Sequence, residues 1–157
     1  MSSSPKTVFL SYASQDAEAA QHICDALLAQ GRGEEARDEV LREPEEWARL
    51  WALGNIQHAT GRPAESEAAL HELIAKYATK AAYQVATVYA ARGEPDLAFD
   101  WLERAYDQRD PGLAEIQPER SLRSLHADSR WEAFLRKMGL ADQVERRCSV
   151  RWQLVAA

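Results

Sequence analysis

Two stretches of the chain carry one pattern of apolar and polar positions. The first, LWALGNIQHATGRPAESEAALHELIAKYA, runs from Leu50 to Ala78, and the second, AYQVATVYAARGEPDLAFDWLERAYDQ, from Ala82 to Gln108. Each has apolar residues at helical spacing, a Gly-x-Pro turn, then helical spacing again. Superimposing the turns puts Gly61 on Gly93 and Pro63 on Pro95, a period of 32 residues. Leu53 then falls on Val85, Gly54 on Ala86, Ser66 on Ala98, Leu70 on Leu102 and Leu73 on Ala105. A fixed period with size-matched positions predicts stacked helical pairs.

Ahead of these, residues 1–6 are Ser-rich and carry no periodic signal. Thr7–Tyr12 (TVFLSY) is β-branched and aromatic and predicts a short strand. Ser14 suits an N-cap, and Ala19, Ala20, Ile23, Cys24, Leu27 and Leu28 predict a helix over Asp16–Gln30, stopped by Gly31 and Gly33. Placing Gly31 on Gly61, a spacing of 30, puts Ile23 on Leu53, Cys24 on Gly54, Leu27 on Gln57 and Ala36 on Ser66. This helix and a short one over Glu34–Arg42, ended by Pro44, would then form a further pair. After Gln108 the pattern breaks at Pro111–Gly112 and Pro118. Short helices are expected over Gly112–Ile116 and Glu119–Ser124, then Ser129–Met138, capped by Asp128 and ended by Gly139. Trp101 and Trp131 read as packing residues. The tail, 141–157, shows no clear period.

Composition narrows the class. At 157 residues, with 46% apolar residues and only 7 Gly and 6 Pro, the chain can bury a sizeable core and favours helix. A formal net charge of −6 argues against nucleic-acid binding, which needs a basic face. The two cysteines, Cys24 and Cys148, fit a reducing compartment better than a disulfide scaffold. No run approaches the length of a membrane span, and TVFLSYA is too short and polar for a secretory signal, so a cytoplasmic protein is expected.

The repeats resemble the tetratricopeptide (TPR) family. Val85, Ala86, Tyr89, Gly93, Ala98, Leu102 and Ala105 fill that family's pattern in the second copy, and Leu50, Leu53, Gly54, Gly61, Ser66, Leu70 and Leu73 in the first. Gln57 stands where an aromatic is usual, and the period is two residues short. The segment after Gln108 is similar to the closing segment of many bacterial TPR proteins. VFLSYASQDAEAAQHICDALLAQG resembles the opening strand and first helix of a Toll/interleukin-1 receptor-type (TIR) domain, through Phe9, Leu10, Ser11, Tyr12, Ser14 and Asp16. That likeness covers about 30 residues, and the family's later strands and catalytic glutamate have no counterpart here. It reads as a remnant.

The expected fold is therefore all-α: a short right-handed stack of antiparallel helical pairs with a C-terminal cap and an isolated N-terminal strand. Its divisions are residues 1–15 (TIR-like segment), 16–108 (repeats), 109–140 (closing segment) and 141–157 (tail).

No phosphate-binding Gly-rich loop, nucleophile elbow or HExxH motif occurs. His22, His58, His71 and His126 are scattered, and neither cysteine has a metal-spaced partner. The sequence thus implies no enzyme, no cofactor and no metal. The TPR resemblance implies that the first helix of each pair lines a concave groove for a protein or peptide. The inward positions are Gln21 and Asp25, then Trp51, Asn55 and His58, then Tyr83 and Thr87. Trp51 and Tyr83 would anchor the peptide and Asn55 would read its backbone. The acidic charge favours a basic partner, and a second copy would complete so short a groove. The alternative is a truncated TIR-type signalling or NAD-hydrolase protein, incomplete on its own.

Overall fold

Each helical pair in the fold is closed by the same glycine turn. The computed structural model describes residues 22–140, and every element there is helical. In order these are α1 (residues 22–29), α2 (Gly33–Val40), α3 (Glu46–Ala59), α4 (Pro63–Tyr77), α5 (Ala82–Ala91) and α6 (Pro95–Gln108). Two 3-10 helices, Pro111–Glu115 and Ser121–Leu125, lead to α7 (Ser129–Lys137). The strand expected at Thr7–Tyr12, the start of the first helix and the tail lie outside the described residues.

Gly31, Gly61 and Gly93 take φ of 73°, 75° and 76°, the left-handed region where a Cβ is strained. The next amide reaches back five residues each time: Arg32 N–H to Leu27 O (2.9 Å), Arg62 N–H to Gln57 O (2.7 Å) and Glu94 N–H to Tyr89 O (3.0 Å). This is the 6→1 bond of a Schellman cap. The same residue's carbonyl then accepts the first bond of the following helix, from Ala36, Ser66 and Ala98 N–H. The two spacings, 30 and 32 residues, thus superimpose three equivalent turns. Pro63 and Pro95 begin α4 and α6, where a missing amide hydrogen costs nothing.

Small residues let the helices of each pair approach. Ala36, Ser66 and Ala98 are all fully buried. Ser66 Oγ donates to Gly54 O at 2.7 Å, and Cys24 Sγ donates to Ala36 O at 3.7 Å. These bonds join the aligned small positions of the two helices, in the second pair and in the first. Short connections make neighbouring helices antiparallel: α3 packs along α4 and α5 along α6, while α3 also meets α5 and α2.

The buried side chains form two clusters. The larger joins Leu50 and Trp51 of α3 to α4, α5, α6 and the closing segment. The smaller holds Cys24, Ala36, Val40, Ala52 and Ile56, with Leu27, Leu28 and Leu53 against it.

Two expected helices are realised differently. The α2 helix stops at Val40, two residues short of the expectation, because Pro44 disfavours helical backbone just before it. The first two closing helices are five-residue 3-10 helices, Pro111–Glu115 and Ser121–Leu125, rather than α-helices over Gly112–Ile116 and Glu119–Ser124; Pro118 between them keeps each one short. The closing segment still covers the last pair. Leu113, Ile116, Leu122, Leu125, Trp131, Phe134 and Leu135 are buried in the larger cluster. Ser124 Oγ donates to Ala90 O at 3.1 Å, near the end of α5. Ion pairs Arg130–Asp96 and Lys137–Glu103 tie α7 to α6, beside an edge-on contact of Tyr106 with Phe134.

Candidate peptide-binding cleft

The first helices of the three pairs share one face, and a cleft of about 410 Å³ opens there. Asp25, Leu28 and Ala29 of α1 form one wall, and Trp51, Asn55, His58 and Ala59 of α3 form the floor. Ala91 at the end of α5 and Glu119–Ser121 of the closing segment complete it. Four of the seven residues expected to face a groove, Asp25, Trp51, Asn55 and His58, thus meet at one cleft.

Asn55 is half-buried, one turn after Trp51 on α3. Its Nδ2 donates to Trp51 O over a long 3.4 Å, and its Oδ1 is buried with no partner among the described residues. An amide in that state has acceptor capacity left for a ligand. His58, also half-buried, follows on the same face. Glu119 Oε1 accepts from Ser121 N–H (2.9 Å) and Ser121 Oγ–H (2.7 Å), which holds the far rim in shape. The rim therefore carries two carboxylates, Asp25 and Glu119, and one guanidinium, Arg120.

Three expectations need correction. Trp51 and Tyr83 are not exposed anchors, and Thr87 does not face a groove; all three are core residues, exposed by only 5%, 3% and 1%. The Trp51 indole N–H donates to Thr87 Oγ1 at 2.8 Å, and Thr87 Oγ1 donates to Gln84 O at 2.7 Å, so the pair is turned inward between α3 and α5. Only an edge of Trp51 reaches the cleft. Tyr83 is covered by the closing segment: a Cβ on Gly112 would sit 2.5 Å from its Cδ1, and its amide donates to Asp110 Oδ2 at 3.0 Å. Gln21 lies outside the described residues.

Glu119, Arg120 and Ser121 were not anticipated at the cleft. They sit in a non-periodic stretch after Pro118, and no spacing signal relates them to α1 or α3.

Two buried groups away from the cleft floor, Cys24 and Asp110, have raised pKa values. Burial, then the charges of Asp25 and Glu39, push the Cys24 thiol up to about 11. Burial also raises Asp110, against the pull of hydrogen bonds from the Tyr83, Gly112 and Ala82 amides. A second hollow, of about 630 Å³, lies at Tyr106, Arg109, Leu113 and Met138, and none of the residues expected to bind lines it. Among the described residues no cluster of His, Cys, Asp and Glu could hold a metal ion, and no helix is long and apolar enough to cross a membrane.

Over the described residues the architecture is all-helical, with paired helices and a cleft on one face. No protein-family model, curated protein or solved structure matches the chain.

Proposed function

We propose that this chain is a non-enzymatic helical-repeat module of tetratricopeptide type, which takes a segment of another protein in the cleft between α1, α3 and the closing segment. The observation that carries the reading is Asn55. Its buried Oδ1 has no partner at the floor of a cleft built by first helices. Leaving a buried acceptor unmade costs about 1–3 kcal/mol, which a ligand's backbone amide would recover once the Asn55 side chain turns its oxygen toward the cleft. Three glycine turns of one geometry support the repeat assignment. The groove residues are Asp25, Asn55 and His58, with Glu119, Arg120 and Ser121 at the rim.

The test is selection of peptides from a random display library on the full chain, followed by calorimetry of the selected sequence. Asn55→Ala should weaken that peptide at least about fivefold, as loss of a buried hydrogen bond does, while helicity stays unchanged. Failure to enrich any peptide, or Asn55→Ala and His58→Ala variants that both keep the wild-type affinity, rejects the cleft as the site.

A further inference from the structure

We propose that the first helical pair, α1 with α2, opens as a unit separate from the rest of the fold, and that its opening moves one wall of the cleft. The evidence is how the core is divided. The first pair is held by the small cluster of Cys24, Ala36, Val40, Ala52 and Ile56, while α5, α6 and the closing segment share the large one. Among the described residues the element shared by the two clusters is α3, which gives Leu50 and Trp51 to one and Ala52 and Ile56 to the other. Stability in stacked pairs is a sum of terms for each unit and each interface, so a unit with a small interface opens first.

Among the described residues the remaining ties across the seam are few. Arg62 pairs with Glu34, but both side chains are substantially exposed, and exposed pairs add little. Gly33 lets the start of α2 sit tightly on the end of α3, where an added Cβ would come within 2.5 Å of Thr60 Cγ2. Ile23 of α1 and Leu41 after α2 stay 52% and 50% exposed, so these two side chains add little to closure. At the other end, Asp110 and Ser124 bond the closing segment to α5.

The cleft draws its walls from both units. Asp25, Leu28 and Ala29 travel with α1, whereas Ala91 and Glu119–Ser121 stay with the large cluster. Opening therefore widens the cleft toward α1, and an occupant touching both walls holds the pair shut. This consequence rests on the proposed function, whereas the opening does not.

Cys24 supplies the probe, because it is fully buried within the small cluster. The experiment uses the full chain with Cys148→Ser, so that Cys24 is the sole thiol. Its rate of modification by a disulfide reagent is followed against urea, alongside unfolding of the large cluster read by tryptophan fluorescence. Separate opening predicts that in water Cys24 reacts at least about tenfold faster than global unfolding allows, with a shallower urea dependence. Gly33→Ala should speed the reaction further and leave the fluorescence midpoint nearly in place. If Cys24 reacts only at the global unfolding rate and with the global urea slope, the fold is one cooperative unit and the proposal fails. A selected peptide that binds without slowing the reaction would overturn only the link to the cleft.

Discussion

The indole N–H of Trp51 donates to Thr87 Oγ1 at 2.8 Å, joining α3 to α5 across 36 residues of sequence. Both residues are buried, so the bond replaces water that neither could keep. Thr87 passes its own proton to Gln84 O, which leaves its lone pairs facing the indole. Truncating Trp51 would remove a ring at the centre of the stack and leave the lone pairs of Thr87 Oγ1 without a donor, while its own bond to Gln84 O remains. Trp51→Ala should therefore cost about 3–5 kcal/mol, the range for a buried aromatic. Trp51→Phe should cost less, and should be partly offset by Thr87→Val, which removes the oxygen left without a donor. Urea unfolding of the four proteins of this cycle measures the coupling; purely additive losses would show that the bond contributes nothing.

Leu102 tests the repeat alignment. It falls on Leu70 one period earlier, and both are fully buried in the large cluster. Leu102→Ala should cost about 2–5 kcal/mol. A loss below about 0.5 kcal/mol by chemical denaturation, the scale of surface changes, would mean that the position is not shared core.

The turns and the paired helices were legible in the sequence because turn chemistry and side-chain size are local signals. Gly31, Gly61 and Gly93 announce left-handed turns, and Cys24/Ala36, Gly54/Ser66 and Ala86/Ala98 announce close helix contact. The cleft was only partly legible. The tetratricopeptide resemblance put Asp25, Asn55 and His58 on the inward face of α1 and α3, and all three line the cleft. Spacing alone does not distinguish a residue facing the open side from one turned toward the next pair. Trp51 and Thr87 lie on that boundary, and their mutual hydrogen bond decides it. Tyr83 was misplaced for another reason: its cover, Asp110–Gly112, comes from a segment with no period, so no register could foretell it.

Two caps of the closing segment should respond to pH with opposite sign. Asp128 caps α7 by accepting from Arg130 N–H, and its carboxylate also meets the Arg130 guanidinium. These bonds, from the side chain first, hold it down to about 2. With a folded pKa below the unfolded one, it adds stability above the ordinary carboxylate range, which is lost as pH falls toward 2. Asp110 is raised instead, because burial outweighs the amides it accepts from. Its contribution is present below the ordinary Asp pKa and is lost as pH rises through its raised value. Carboxyl carbon titration by NMR should place Asp128 below, and Asp110 above, an unstructured Asp. Equal midpoints would contradict both assignments.

Two glycines that look alike in sequence should respond oppositely to a methyl group. Gly54 lies inside α3, where glycine costs the helix about 0.5–1 kcal/mol relative to alanine. A Cβ there would meet Val88 Cγ1 at 3.4 Å and Cγ2 at 3.5 Å, ordinary contact distances. The aligned position in the next pair is already Ala86, fully buried on α5. Gly54→Ala should thus raise stability by up to about 1 kcal/mol. Gly112 has no such room, since a Cβ would come within 2.5 Å of Tyr83 Cδ1 and 2.9 Å of Cγ. The ring cannot yield, because it is 3% exposed and its backbone amide is held by Asp110. Gly112→Ala should lower stability by about 1–3 kcal/mol, the cost of overpacking. The loss should shrink when Tyr83 is replaced by Leu, which removes the ring from the Cβ's path. Thermal unfolding of the four variants decides the matter: a destabilised Gly54→Ala would show that α3 and α5 pack more closely than Val88 allows, and a neutral Gly112→Ala would show that the closing segment does not clamp Tyr83.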